Sequence, residues 1–233
     1  MMSDELSGQD ILVTSGPTRA DIDAVRYITN RSTGRLGRRI SKEALRRGAR
    51  VTMIAGQGSL TPDPTALPEQ ERERLRIVPI TTVDELLKTL KSELTGDVRF
   101  SAVIHAMAVL DYVPERTEQR KVRSGQESWT LKLVKTPKVI QRIKDWAPDT
   151  YLIGFKLEVD ATRDQLLDSA RGLIDRTGAD AIVANDLARI TEKNHPAIVV
   201  DNHGDILARP RTKREIAIAL CRITGTNTCG PAR

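Results

Sequence analysis

The feature that most constrains this chain lies between its first apolar run, residues 11–14, and its first amphipathic stretch, residues 36–47. In a dinucleotide-binding α/β domain this interval is a short GxGxxG turn, whose bare amides and helix N-terminus hold a pyrophosphate. Here it reads GPTRADIDAVRYITNRSTGRLG, residues 16–37, with the glycines driven apart. Gly16 closes the strand and Gly34 and Gly37 open the helix. Arg19, Asp21, Asp23, Arg26, Asn30, Arg31, Ser32 and Thr33 fill the interval. The turn keeps strand-to-helix geometry and adds polar groups beyond what gripping a phosphate requires.

The rest of the chain continues the alternation. Apolar, β-branched runs at residues 50–55, 75–80, 102–107, 151–155 and 181–184 read as strands, with helical patterns over 83–94, 138–146 and 163–177. The pattern predicts an α/β fold, a Rossmann-like, mostly parallel sheet flanked by helices and joined by right-handed crossovers. Thr82 with Glu85, and Thr162 with Gln165, match the capping box that satisfies the orphan amides of a helix start. Two stretches depart from the alternation. Residues 114–135 are polar and predict a projecting β-hairpin arm, approximately 113–135, turning at Ser124 and Gly125. Residues 196–209 predict a second hairpin turning at 202–204, before a last helix capped by Thr212 and Glu215. Residues 57–74, rich in proline and charge, read as a surface loop, and approximately 225–233 as a flexible tail. With 233 residues one core suffices, so a single domain over 1–233 is expected.

Charge narrows the partners. A net charge of +6 favours anionic ligands such as nucleotides, phosphorylated metabolites or nucleic acid, and equally describes a solvated arginine-rich face. Aromatic residues make up only 3% and do not interleave with the basic ones, which argues against single-stranded nucleic acid. Cys221 and Cys229 have neither a CxxC spacing nor a histidine partner, so no structural zinc or disulfide framework is indicated. The polar N-terminus and the lack of a long apolar run predict a soluble, cytoplasmic protein with no membrane contact.

Open α/β sheets bind ligands beyond the carboxyl ends of their strands. The positions so placed are 16–18, 105–111, 155–158 and 185–186. Asn30 carries a carboxamide amine that can donate to an oxyanion without titrating, or simply cap the next turn. Ser32 and Thr33 before Gly34 suit a phosphate cradle and equally an N-cap. His105 sits in an apolar run and reads first as a core histidine. Asp111 is either a ligand for ribose or a hydrated metal, or a solvated loop acid. Lys121, Arg123, Lys132 and Lys135 of the arm suit closure over a triphosphate, or plain solvation. Asn185 and Asp186 can equally be turn residues.

At these residues the chain resembles the phosphopantothenoylcysteine synthetase family, also called phosphopantothenate-cysteine ligase, and especially its stand-alone bacterial form. The resemblance rests on ILVTSGPT, IDAVRYITNRSTGRLG, VIHAMAVLDYVP, LKLVKTPKVI, LIGFKLEVD and ADAIVAND, spread over about residues 10–200. It implies a ligase that joins 4′-phosphopantothenate to L-cysteine through an acyl-nucleotide, releasing pyrophosphate and nucleoside monophosphate in coenzyme A biosynthesis. CTP, favoured over ATP, is the implied co-substrate, with Mg2+ and no flavin. The metal ligands are not implied by any motif. The resemblance gives Asn30, Arg26 and Lys121 catalytic roles and Gly16, Ser32, Thr33 and Gly34 substrate binding. Nucleotide binding falls to His105, Ala106, Met107, Asp111, Lys121, Pro137, Lys138, Val139, Ile140, Phe155 and Arg176. The chain departs where bifunctional members carry two lysines after Phe155: Gly172 and Arg176 stand there, with Arg171 as an alternative source of charge. The family's usual PD is Pro137-Lys138 here. A homodimer with the arm crossing to its partner, and a separate phosphopantothenoylcysteine decarboxylase as associate, complete the expectations. Two competing classes are an NAD(P)-binding oxidoreductase and a basic nucleic-acid-binding module. Against the first stand the split glycines and the absence of an acid at Ala55-Gly56.

Overall fold

The computed structural model describes residues 4–123, 125 and 127–228; Ser124 of the expected arm turn and residues 229–233 of the expected tail, Cys229 among them, lie outside these. In chain order come β1 (Asp10–Ser15), β2 (Arg19–Asp21), β3 (Tyr27–Thr29), α1 (Arg35–Arg46), β4 (Arg50–Gly56), α2 (Glu69–Glu73) and β5 (Leu75–Ile80). Then follow α3 (Val83–Leu94), β6 (Ala102–His105), β7 (Tyr112–Pro114), β8 (Leu133–Lys135), α4 (Val139–Trp146) and β9 (Tyr151–Glu158). The chain closes with α5 (Arg163–Thr177), β10 (Ala181–Asp186), β11 (Ala197–Asp201), β12 (Ile206–Ala208) and α6 (Lys213–Thr228).

Eight strands form one sheet in the order β12-β11-β10-β9-β6-β1-β4-β5. Pairing is parallel from β10 to β5, and the terminal β11–β12 hairpin extends the sheet antiparallel. Successive side chains of a strand face opposite ways, so both faces of the inner strands must be apolar. Ile11 and Val13 pack beneath α1 and α6 with Ile40, Leu45, Ile216 and Leu220. Leu12, between them, packs with Leu86, Ile143, Leu166 and Ile174 from α3, α4 and α5. Burying each such side chain stabilises the fold by roughly 1.5–3 kcal/mol.

Both expected capping boxes form: Glu85 N–H donates to the Thr82 hydroxyl at 3.1 Å, and Gln165 N–H to that of Thr162 at 3.3 Å. Thr212 does the same for Glu215 at 3.2 Å. Elsewhere the boundaries move. β6 stops at His105, so Ala106 and Met107 lie outside it, while β9 and β10 run on to Glu158 and Asp186. Residues 57–74 are not wholly loop. They hold α2 and a 3-10 turn, Pro64–Ala66, which the Asp63 carboxylate starts by accepting from Thr65 N–H at 2.9 Å. The 16–37 insert contains the β2–β3 hairpin, which no sequence signal announced. Among the described residues the arm's strand pairing covers its base, Tyr112↔Lys135 to Pro114↔Leu133, and continues in a bond from Glu115 N–H to Lys132 O at 3.0 Å. Beyond that it leans on the β2–β3 hairpin: Thr117 donates its hydroxyl to Asp21 O at 3.0 Å and Glu118 its N–H to Ile22 O at 3.0 Å.

Candidate active site

The sheet order places a switch point between β1 and β6. From β1 the chain crosses through α1 to β4 on one side; from β6 it returns through α4 to β9 on the other. Crevices open at such points because the two crossovers leave in opposite directions. The two loops beyond the strands stay joined: Ala108 N–H donates to Gly16 O at 2.8 Å, Thr18 N–H to Ala108 O at 3.2 Å, and Leu110 N–H to the Thr18 hydroxyl at 2.9 Å. Asn30 sits across this junction. Its Nδ2 donates to Ala108 O at 3.1 Å and Val109 O at 3.2 Å, which fixes the amine end toward the β6 loop. An oxyanion drawing on Nδ2 has to displace one of these carbonyls.

Gly16 and Gly34 adopt the left-handed backbone, φ 80° and 73°, which admits glycine at little cost. Gly34 is the N-cap of α1, so neither Ser32 nor Thr33 fills that role, and no side chain caps the helix. No acid occupies its first turn. The positive end of the α1 dipole is therefore open, the condition for holding a phosphate. Gly16, Ser32, Thr33 and Gly34 lie along the one loop that leads to it.

On the α4–α5 face a cavity of about 260 Å³ adjoins the switch point. Of the residues expected to bind nucleotide, His105, Met107, Asp111, Pro137, Lys138, Val139, Ile140, Phe155 and Arg176 line it. Ala106 and Lys121 do not. Val109 and Lys156, within the strand-end segments 105–111 and 155–158, also line it, as do Gln141, Leu173 and Thr177, which were missed. His105 is 7% exposed, and its Nδ1 lies 2.8 Å from the Thr14 hydroxyl. Burial lowers its pKa to about 4, so the ring is neutral. At the rim Lys138 donates to Asp111 at 2.6 Å. Arg176 folds back over Gly172, where a Cβ would stand 3.2 Å from its Nη1. Arg171, the alternative cation, is turned away; it lies against Gly204 in the β11–β12 turn and 3.8 Å from Asp168.

Arg26 and the arm form a separate assembly. The Asp23 carboxylate, 3% exposed as a residue, accepts from the N–H of Val25 at 2.9 Å, the N–H of Arg26 at 2.8 Å and the Arg26 Nε at 3.0 Å. It also takes the arm's Val122 N–H at 3.1 Å. The Arg26 guanidinium holds this carboxyl well below the usual carboxylate range, aided by the backbone donors. Arg26 also donates to Val122 O at 3.2 Å and stacks on Trp129, 4.6 Å from the ring centre. Lys121, exposed, immediately precedes the residue so held. Asp186 ends β10 and caps the turn that follows it, accepting from Asp160 N–H at 2.9 Å and Ala188 N–H at 3.1 Å. No helix among the described residues is long and apolar enough to cross a membrane.

Sheet order, crossovers and carboxyl-edge cavity together define the class as a Rossmann-like α/β domain whose cavity adjoins the switch point. More narrowly, the chain belongs to the family described as the DNA/pantothenate metabolism flavoprotein C-terminal domain, whose sequence profile matches residues 6–225. Among curated proteins it is 38% identical over 213 residues to the coenzyme A biosynthesis bifunctional protein CoaBC of Thermococcus kodakarensis, covering 91% of this chain and 50% of that protein. The chain thus spans about half the length of the curated relatives it matches. Among solved structures it is similar to the DNA/pantothenate metabolism flavoprotein of Streptococcus pneumoniae, with TM-score 0.82 and 37% identity over 93% of this chain and 98% of that one. It is also similar to the C-terminal domain of a CoaBC protein, with TM-score 0.76 and 25% identity over 96% and 97%.

Proposed function

We propose that this chain is a phosphopantothenate-cysteine ligase. The observation that carries the reading is the pairing of an uncapped α1 N-terminus with Asn30 at the switch point, beside a cavity lined by His105, Lys138, Phe155 and Arg176. A carboxylate lacks a leaving group, so an amide cannot form from it directly. In the first step a carboxylate oxygen of 4′-phosphopantothenate attacks the α-phosphorus of the nucleotide and pyrophosphate leaves. In the second the cysteine amine attacks the acyl carbon, the nucleoside monophosphate departs with the bonding electron pair, and the amine gives up a proton.

The cavity takes the nucleotide, with neutral His105 and Phe155 against its base and sugar and Arg176 and Lys138 supplying charge. The loop of Gly16, Ser32, Thr33 and Gly34 takes phosphate on the α1 N-terminus. Asn30 and Arg26 serve the reacting acyl group, and Lys121 reaches over from the arm. CTP is the favoured nucleotide. Among the described residues no three His, Cys, Asp or Glu side chains are grouped to hold a metal ion. The carboxylate in the cavity lining, Asp111, paired with Lys138, would help hold Mg2+ carried mainly by phosphate oxygens; the ion would neutralise charge on the departing pyrophosphate. The flavoprotein of the family description refers to the other half of the bifunctional relatives, and this reading involves no flavin. A cytoplasmic homodimer, with the arm meeting its partner and a separate decarboxylase downstream, completes the proposal.

Mixing the chain with 4′-phosphopantothenate, L-cysteine and Mg2+, and either CTP or ATP, should release pyrophosphate, faster with CTP. Release with neither nucleotide overturns the reading.

A further inference from the structure

Across the sheet from the first cavity, the initial turns of α1 and α6 enclose a larger cleft of about 640 Å³. The two sites share no lining residue: one lies under α4 and α5, the other between helices packed on the opposite face. Arg35 and Arg39 come from successive turns of α1, Lys213 opens α6, and Lys193 and Arg214 complete five cations against two carboxylates. One of those carboxylates is already engaged: Glu215 accepts from the Arg211 N–H at 2.8 Å and the Thr212 hydroxyl at 3.2 Å.

Several arginines elsewhere have a carboxylate partner. Arg46 pairs with Glu43, Arg50 with Asp10 and Arg76 with Glu93. Among the described residues, Arg35, Arg39 and Lys213 have no carboxylate within ion-pair distance. Lys213 is half-buried as well, and desolvation together with the two guanidinium groups lowers its pKa. Like charges gathered around a concavity, at helix ends whose dipoles add to the same sign, repel one another until an anion enters. Two guanidinium forks and an ammonium match the several oxygens of linked phosphates better than a single carboxylate.

We propose that this cleft binds a phosphoanhydride, held by Arg35, Arg39 and Lys213. The group can arrive as free pyrophosphate or as the tail of a nucleoside triphosphate. The inference needs no reaction and does not depend on the ligase reading.

Inorganic pyrophosphate, titrated calorimetrically without Mg2+ into the whole chain, tests it. The unaltered chain and Lys138→Ala, changed at the first cavity, should each bind at the cleft. Arg39→Glu and Lys213→Glu should bind at least about tenfold more weakly, with Arg39→Gln as a milder variant and circular dichroism melts confirming that each is folded. Repeating the titration of Lys138→Ala in saturating CTP separates the sources: loss of the pyrophosphate signal assigns the cleft to a nucleotide tail, and its persistence assigns it to free pyrophosphate. Pyrophosphate that fails to bind the unaltered chain, binds equally to Arg39→Glu and Lys213→Glu, or is lost in Lys138→Ala overturns the proposal. Any of these results with nucleotide-dependent pyrophosphate release intact would leave the ligase reading standing.

Discussion

Asp23 grips Arg26 at both ends, one carboxylate oxygen accepting its backbone N–H at 2.8 Å and the other its side-chain Nε at 3.0 Å. The same carboxylate holds an arm amide 99 residues away. A local turn and a distant segment thus share one buried charge.

The first prediction concerns that charge. Because the folded-state pKa of Asp23 lies below its ordinary 3.8, its contribution is present above that value and is lost as pH falls below it. Asp23→Asn should therefore be less stable at neutral pH and lose less stability on acidification. Urea midpoints at about pH 7, 4 and 2.5 measure this, and equal acid slopes for both proteins would refute it. In a Trp146→Phe background the emission of Trp129, the chain's other tryptophan, should shift as Arg26 leaves its ring.

Removing the Asn30 carboxamide should separate the two proposed half-reactions. Asn30→Ala loses both bonds to the β6 loop, costing about 1–2 kcal/mol of stability. Turnover should fall on the order of 10²–10³-fold, the usual effect of deleting a donor aimed at developing charge. Pyrophosphate should still appear in a rapid burst while amide formation stalls. Unchanged steady-state amide formation removes Asn30 from catalysis.

At position 172 stability and binding should move in opposite directions. Alanine inside a helix is favoured over glycine by about 0.5–1 kcal/mol. Its Cβ would stand 3.2 Å from Arg176 Nη1 and displace that guanidinium from its place in the cavity lining. Gly172→Ala should raise the melting temperature while raising the nucleotide KM several-fold with kcat little changed. A KM equal to that of the parent would show that Arg176 contributes nothing to nucleotide binding.

His105 should set a broad acid limb. Its folded-state pKa, about 4, lies below the ordinary 6.5, so the unfolded chain takes up the proton first. Stability is complete above about pH 6.5 and declines toward pH 4, by on the order of 3 kcal/mol for this group. His195 contributes in the same direction, burial and Lys213 lowering its pKa to about 4. His105→Gln should flatten the limb. If the melting profile between pH 4 and 6.5 is unaltered by that change, His105 is not buried neutral.

The sheet was legible because parallel strands covered on both faces must be apolar throughout, as Ile11, Leu12 and Val13 are. Helix starts were legible because Thr82 and Thr162 carry their own chemistry. The β2–β3 hairpin was not. Its strands are three residues long with no buried residue, and neither alternation nor a two-residue glycine turn marks them. The clasp of Asp23 on Val122 escaped for another reason: local periodicity carries no information about contacts between segments so far apart. The strand ends and the resemblance named most of the cavity's lining, while Leu173 and Thr177, apolar and hydroxylic neighbours of Arg176 on α5, carry no charge or motif that would mark them. Arg171 lies against Gly204 and not in the cavity lining, as a one-residue step around a helix turns a side chain by about 100°.

β1 has one further consequence, for the order in which the chain can assemble. Its β4 partner begins at Arg50, but Ile11 pairs on its other side with Ala102, 91 residues on. During synthesis the β1–β4–β5 half can form while the other edge of β1 still shows unpaired amides and carbonyls. An exposed strand edge of this kind recruits other chains. The interval until β6 leaves the ribosome is therefore the period in which this protein is most open to aggregation.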